Sequence, residues 1–400
     1  MALDTRLTRD PTELEAIYRF RFQVYYHELG AQLPDDVIRS GRLRCDFDDV
    51  AYNYVSFEGG RVVACLRGID FVDLPNSAQL IEKYSLRPAI QDLDAACLGF
   101  TGRMAVAEKF RRSSLVHRLM MLATDDARQR GTRLAFLDCS PHLLPFYEAI
   151  GFRRYAPAFS DPVFGFKQPL LFMLRDYIGL NAIGSPLART FNPCEDDPEI
   201  REWYARHYGA YATCRTATLL PSGALTDLAE RVFSGELTEV PLLRNLSRQE
   251  IDLVLRKSTI VHAQPGDVVI RSGLRDEYLC VVLSGRLESH HAGHHLETMG
   301  RGGFYGETEF LTSRPRIAEV RACESAELLI LPTEYLAQLI EKDVVIGRTL
   351  MRNLAIAMAT RSAARLDGMA ALSSQLGAKI HMAAAATHGA HIMGGERTSH

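Results

Sequence analysis

No stretch of eighteen or more apolar residues occurs in the 400-residue chain, so no segment has the length to cross a bilayer as a helix. The first twenty residues, MALDTRLTRDPTELEAIYRF, mix acids and bases and lack the apolar centre of a secretory signal. The expected location is the cytoplasm. The eight cysteines (Cys45, Cys65, Cys97, Cys139, Cys194, Cys214, Cys280 and Cys323) include no Cys-x-x-Cys pair, which speaks against a redox or zinc motif. Most sit in apolar, strand-like runs such as VVACLRGI, as buried free thiols do in a reducing compartment. A net charge of −3 leaves no basic footprint for nucleic acid, and no helix-turn-helix pattern is present.

What is there is enough for two domains, since single cores rarely grow to 400 residues. From residue 13 to about 178, helical and strand patterns alternate. PTELEAIYRFRFQVYYHEL has helical periodicity, AYNYVSFEGGRVVACLRGID reads as two strands around a Gly-Gly turn, and SSLVHRLMMLATDDARQRG reads as a helix closed by Gly131. A buried strand TRLAFLDCS, a short helix LLPFYEAIG and a strand QPLLFMLRDYI follow. The texture changes at Asn181, where turn formers and acids without periodicity read as a linker with helices over 181–239. From about 258 to 332 short strands alternate with Gly-containing turns, the pattern of a small antiparallel roll. The fold class is therefore α/β plus mainly β. The expected boundaries are 1–180, 181–239, 240–360 and a poorly ordered tail over 361–400.

The stretch FYGETEFLTSRPRIAEV, residues 304 to 320, combines a Gly-Glu pair with an arginine nine residues after the Glu. Such a loop exposes backbone N–H groups beside one guanidinium, which suits a phosphate, while Glu307 can accept from a sugar hydroxyl. Residues 240–355 resemble a cyclic-nucleotide-binding domain: the lead-in VPLLRNLSRQEIDLVL, the hairpins of QPGDVVIRSGLRDEYLCVVLSGRLE, and the cassette of Gly-Glu, then Pro-Arg-x-Ala. The resemblance implies that Glu307 holds the ribose 2′-hydroxyl and Arg316 the cyclic phosphate of cyclic AMP or cyclic GMP, assisted by backbone at Gly306, Ile317 and Ala318. Glu319 departs from the family pattern, and an acid there could repel phosphate, accept from guanine, or face solvent. The cluster SHHAGHH (His290, His291, His294, His295) lies in a hairpin turn with no carboxylate or thiol at fixed spacing, so no metal is expected.

In the first half, EKFRRSSL precedes a helix whose free N–H groups and dipole suit a pyrophosphate. The strand GRMAVA ahead of it could pair with an extended thioester arm. GRMAVAEKFRRSSLVHRLM and PFYEAIGFRRY resemble the GNAT acyltransferases over residues 10–178. That resemblance implies backbone at Met104, Ala105 and Val106 against pantetheine, Arg111, Arg112, Ser113, Ser114 and Leu115 at the diphosphate, and Tyr147 as general acid. The family's loop glycines are absent. RFRFQVYYHELG, CDFDDVAYNYV, ACLRGID and LGFTGRMAV further resemble the acyl-homoserine-lactone and N-acyl amino acid synthases, which places Arg21, Asp46, Asp49, Arg67 and Arg103 on that branch's charged positions. Phe100 stands where that branch has an acid, which does not support lactone chemistry. Cys139 and His142, three residues apart at a strand end, read as structural rather than as nucleophile and base.

These readings imply a cyclic-nucleotide-regulated N-acyltransferase. Its donor would be acyl-coenzyme A or an acyl carrier protein thioester, and its acceptor a small-molecule or protein amine. It would have no metal, no nucleic acid and no membrane span, and would form a homo-oligomer. Two alternatives stand beside it: a GNAT-fold scaffold without catalysis, and a constitutive acyltransferase whose roll serves oligomerisation.

Overall fold

The computed structural model describes residues 3–74, 77–111, 113–213 and 215–367. The first half is built on eight strands: β1 (Leu3–Thr8), β2 (Tyr52–Glu58), β3 (Arg61–Asp70), β4 (Leu98–Val106), β5 (Leu134–Cys139), β6 (Arg153–Arg154), β7 (Phe159–Asp161) and β8 (Gly165–Met173). They run in the order β1-β2-β3-β4-β5-β8-β6, with β7 paired to β8. The expected Gly-Gly hairpin joins β2 and β3, and Gly59 and Gly60 both have positive φ, the requirement of a tight two-residue turn. All neighbours are antiparallel except β4 and β5, which pair in parallel only over Leu98–Phe100 and Leu134–Phe136. Beyond those residues the two central strands part. The helix Leu115–Gln129 packs Leu115, Leu119 and Met120 into the sheet's core.

The second half is the antiparallel roll: β9 (Thr259–Ala263), β10 (Val268–Ile270), β11 (Tyr278–Ser284), β12 (Leu287–His291), β13 (His294–Met299), β14 (Phe304–Tyr305), β15 (Glu319–Ala322) and β16 (Ala326–Pro332). They form two four-stranded sheets, β10-β15-β12-β13 and β14-β11-β16-β9. Short apolar strands such as YLCVVLS, buried almost throughout, give the roll its interior. Among the described residues no helix is long and apolar enough to cross a membrane.

The linker read over 181–239 is packed: its helix Pro198–Tyr208 buries Ile200, Trp203 and Tyr204 against Phe136, Tyr155 and Leu171. The tail expected from 361 begins inside a helix spanning 344–367, where Arg361 and Arg365 pair with Glu307 and Glu297. Residues 368–400 lie outside the described residues.

The two halves share one apolar core, in which Phe152, Phe166 and Leu170 of the α/β sheet continue into Val261, Ile270, Tyr278 and Ile330 of the roll. At its edge Arg154 is buried and holds both halves together. Its Nε donates to Glu148 Oε1 at 2.7 Å, Nη1 to the Ile260 carbonyl at 2.7 Å, and Nη2 to Thr259 Oγ1 at 2.6 Å and Thr216 Oγ1 at 3.1 Å. A buried ion pair contributes little over apolar residues of equal volume, but losing one partner strands a charge. Arg154→Ala is therefore expected to cost about 3 to 5 kcal/mol in denaturant unfolding. The double change Arg154→Met with Glu148→Leu should cost clearly less, because it leaves no bare carboxylate.

Candidate functional site

Where β4 and β5 part, a cavity of about 1320 Å³ opens, lined by Thr101 to Val106 on one side and Leu137 to Ser140 on the other. A bulge sharpens the departure: between Cys65 and Arg67 on β3, the β4 strand carries an extra residue, and Arg103 takes φ +53°. Met104, Ala105 and Val106 line this cavity as expected of them, although the Met104 carbonyl already accepts from the Tyr25 hydroxyl at 2.9 Å.

At the start of the helix Leu115–Gln129, the loop's side chains are largely spent on the protein itself. Arg111 Nε donates to the Val106 carbonyl at 3.1 Å, and its Nη2 is ion-paired with Glu28. Ser113 Oγ donates to the Phe110 carbonyl and accepts from the Leu115 N–H. What a diphosphate would find there is the helix's own N–H groups and dipole. Ser114 occupies the N-cap without a side-chain hydrogen bond. Arg112 lies outside the described residues.

Tyr147 borders the cavity from the helix Leu144–Ile150, its ring edge-on to Phe146 and Phe152. Burial, then the nearby Cys139, Tyr25 and Asp138, push its phenol well above the ordinary range, so it stays protonated and able to donate. Burial likewise raises the Cys139 thiol and lowers His142 to about 3. Neither matches a thiolate paired with an imidazolium.

The charged positions at the other end of the cavity are arranged around a residue the sequence reading passed over. Asp48, deeply buried, accepts from Arg21 Nη1 at 2.7 Å and lies 3.2 Å from Arg67 Nη1. Arg21 also donates to Asn53 Oδ1, and Arg67 to Cys45 Sγ. Burial raises the Asp48 carboxyl, but Arg67 and Arg21 outweigh it and hold the group below its usual range. Asp46 and Asp49, expected in this role, are exposed, and Asp49 pairs with Arg44 instead. The reason is local: in the one-turn helix Asp46–Asp48, the Cys45 N–H donates to Asp48 Oδ2 at 3.0 Å, turning Asp48 inward and its neighbours out. The Cys-x-x-Asp spacing of a capping box is the signal that could have found it. Arg103 is apart from this cluster, with its guanidinium over the Phe164 ring at 4.5 Å.

In the roll, Gly306 caps the helix Glu307–Thr312 at φ +106°, and a Cβ there would sit 2.6 Å from Arg316 Nη1 and 2.7 Å from the Tyr278 carbonyl. Only glycine fits. Glu307 Oε1 accepts from Arg361 Nη1 at 2.8 Å. Arg316 is buried, and its Nη2 donates to the carbonyls of Asp276 at 2.7 Å and Tyr278 at 2.6 Å. Its Nε approaches Glu309 Oε2 to 2.6 Å, but out of line, so neither atom has a hydrogen bond. Arg316 Nε and Nη1, Glu307 Oε2, Glu309 Oε2 and Asp276 Oδ2 are all buried without a hydrogen-bond partner in the protein. Setting aside the ion-paired Arg316 Nε and Glu309 Oε2, the unused capacity of Arg316 Nη1, Glu307 Oε2 and Asp276 Oδ2 suits a polar ligand. Ile317 is half exposed, and the Ser272 hydroxyl donates to its carbonyl at 2.9 Å. Glu319 is engaged by Arg321 at 2.7 Å and Arg271 at 3.8 Å, so its charge is matched on the strand. Among the described residues no group of three or more His, Cys, Asp or Glu could hold a metal. The histidine hairpin is tied locally, His291 to the Ile317 carbonyl and His295 to Thr298.

Burial raises the Glu309 carboxyl to about 7 against the opposing pull of Arg316, with Asp276, Glu277 and Arg275 also facing it. Below that pH it is neutral and no longer competes by charge for the Arg316 guanidinium. Above it, the carboxylate competes with any anion for the guanidinium. Binding of a cyclic nucleotide, measured by calorimetry, is therefore expected to weaken from pH 6 to pH 8, and Glu309→Gln should flatten that dependence.

The Acetyltransferase (GNAT) family model matches residues 14–152, and the Cyclic nucleotide-binding domain model matches residues 260–343. A cAMP-dependent protein kinase regulatory subunit of Blastocladiella emersonii is 30% identical over 102 residues, covering 24% of this chain and 25% of that protein. The cAMP-dependent protein kinase type II regulatory subunit of Drosophila melanogaster is 26% identical over 129 residues, 32% of this chain and 34% of that protein. The chain thus spans between a quarter and about a third of the length of these relatives. Among solved structures, FeeM, an N-acyl amino acid synthase from uncultured soil microbes, matches at 13% identity and a TM-score of 0.38, covering 48% of this chain and 99% of that one. The splayed α/β sheet and the roll with its Gly306–Arg316 cassette are, respectively, a GNAT domain and a cyclic nucleotide-binding domain joined in one chain.

Proposed function

We propose that the protein is an N-acyltransferase whose activity responds to a cyclic nucleotide. The observation that carries the catalytic half is the cavity between the parted strands, with a protonated phenol on its wall. A thioester arm would extend along β4, its carbonyl polarised by a backbone N–H. The free amine's nitrogen attacks the carbonyl carbon, the C–S bond breaks and Tyr147 gives its proton to the leaving thiolate; the proton that the new amide nitrogen sheds passes through solvent and restores the Tyr147 phenol. At about 1320 Å³ the cavity exceeds the usual range of small-ligand pockets, roughly 300 to 1,000 Å³. Leu66, Ile69, Leu74, Leu80 and Phe100 line its apolar end, which favours a long acyl chain carried by coenzyme A or an acyl carrier protein. Arg67 also lines the cavity and, with Nη1 held by Asp48 and Cys45, would offer its remaining donors to an anionic group of the acceptor.

In the roll, the unmatched atoms of Arg316 and Glu307 support a cyclic nucleotide bound by phosphate and ribose. A second reading, a GNAT fold that binds its thioester without turning it over, is favoured by the Arg111–Glu28 pair and the absent loop glycines.

Acetyl-coenzyme A, long-chain acyl-coenzyme A and acyl carrier protein thioesters, each supplied with amines and followed by mass spectrometry, separate these readings. N-acylated product from a long-chain donor is expected. Acetylation of protein lysines would overturn the chain-length reading, and no turnover with any donor would favour the binding-only one. Tyr147→Phe should lower kcat by about 10²-fold or more, with donor KM little changed, as for loss of a general acid. Arg316→Ala should abolish the heat of binding for both cyclic AMP and cyclic GMP.

A further inference from the structure

The segment Ser272–Glu277, between β10 and β11 of the roll, touches both sites at once. On one side it belongs to the acyltransfer cavity: Leu274, Asp276 and Glu277 line it together with Tyr147. It is fastened to the α/β domain there by three contacts. Gln32 Nε2 donates to the Ser272 carbonyl at 2.7 Å, the Arg275 N–H donates to the Leu29 carbonyl at 3.0 Å, and Leu274 Cδ1 fills the space beside Gly165, where a Cβ would come within 2.7 Å. Gly30 lets the chains approach, since its Cβ would lie 2.5 Å from the Gly273 carbonyl oxygen. Just past the segment, Tyr278 stacks on His142 of the α/β domain.

On the other side the same segment is held by the cassette. The Arg316 N–H donates to the Leu274 carbonyl, and the Gly273 N–H donates to the Arg316 carbonyl. The Arg316 side chain adds the two bonds from Nη2 to Asp276 and Tyr278. The identity of that nitrogen matters. A guanidinium grips an oxyanion bidentately along one of two edges, Nε with Nη2 or Nη1 with Nη2. Both edges include Nη2, and its two hydrogens are both committed to the strap's carbonyls.

We infer that bidentate capture of a cyclic phosphate by Arg316 draws Nη2 off the Asp276 and Tyr278 carbonyls, so that nucleotide binding unclamps the Ser272–Glu277 wall of the acyltransfer cavity. This rests on the reading of the cassette as a nucleotide site. The strap is then the element through which the two sites are coupled, because one nitrogen serves either the strap or the phosphate. Gln32 acts on the same equilibrium from the far side: it is a positioning residue, outside the cassette.

Hydrogen exchange of the full chain, read by mass spectrometry with cyclic AMP and with cyclic GMP, tests this beside calorimetry of the same samples. Saturating nucleotide is expected to speed exchange in peptides covering 272–278 by about tenfold, as for loss of a charge-assisted hydrogen bond. Gln32→Ala should move the nucleotide-free exchange and acyltransfer rates toward the nucleotide-bound values and, by reciprocity, tighten nucleotide binding by a matching factor. Arg316→Lys, which cannot fork to both carbonyls, should show the fast strap without any nucleotide. Measurable binding with strap exchange unaltered would overturn the inference alone. Absence of binding heat with either nucleotide would overturn both it and the nucleotide reading.

Discussion

Arg154 is the constraint on which the arrangement of the two halves depends. It sits where the shortest strand of the α/β sheet meets β9 of the roll, and each of its nitrogens reaches a group whose own position matters: Glu148 on the helix of Tyr147, Thr216 on the connection, and Thr259 and Ile260 on the roll. A guanidinium can do this because its planar fork fixes several directions at once, which a lysine could not. The consequence is that the helix bearing Tyr147 and the first strand of the roll are registered to each other. The apolar continuity from Phe166 and Leu170 to Val261 and Ile270 then fills the junction. Buried polar pinning within an apolar interface gives a defined register where hydrophobic contact alone permits sliding.

From that register follows the composite character of the cavity. Its floor is the gap between β4 and β5, but part of its wall, from Leu274 to Glu277, comes from more than a hundred residues later in the chain. The two sites are thus neighbours through a short segment rather than through a long relay. Glu307 is tied to the helix spanning 344–367 by Arg361, so the cassette's two charged residues face different elements. One holds the C-terminal helix and the other holds the cavity wall.

Most of the scaffold was legible because its signals are local. The Gly-Gly turn, the apolar alternation of the roll, and the Gly-Glu and Pro-Arg spacing of the cassette depend on residues within a few positions of one another. The charged positions were less so. Choosing Asp46 and Asp49 over Asp48 turns on the phase of a three-residue helix, which is set by the Cys45 backbone and by two arginines 27 and 19 residues away. Arg111 reads as a free cation until Glu28 is brought beside it by the fold. How the helix Pro198–Tyr208 and residues 361–367 pack depends on tertiary partners that no local pattern shows: Trp203 lies in one cluster with Tyr155 and Phe136, and Arg361 is bound to Glu307. The inward turn of Arg316 could not be read at all, since spacing fixes which residue reaches a site but not what it holds in the meantime.

The magnitude of the Arg316 contacts decides whether such a clamp can matter. Each Nη2 bond is charge-assisted and buried, a class worth about 1.5 to 3 kcal/mol. A tenfold change in activity needs about 1.4 kcal/mol of coupling. One such bond, exchanged for phosphate, therefore suffices, and the second gives a margin against the partial recovery of those carbonyls by water. The nearby Glu309 carboxyl, raised to about 7, tunes the same exchange, because its charge holds the guanidinium from a third direction. A site in which strap, carboxylate and ligand all compete for one arginine converts a single ionic contact into a choice among three, and only the strap reaches the cavity of Tyr147.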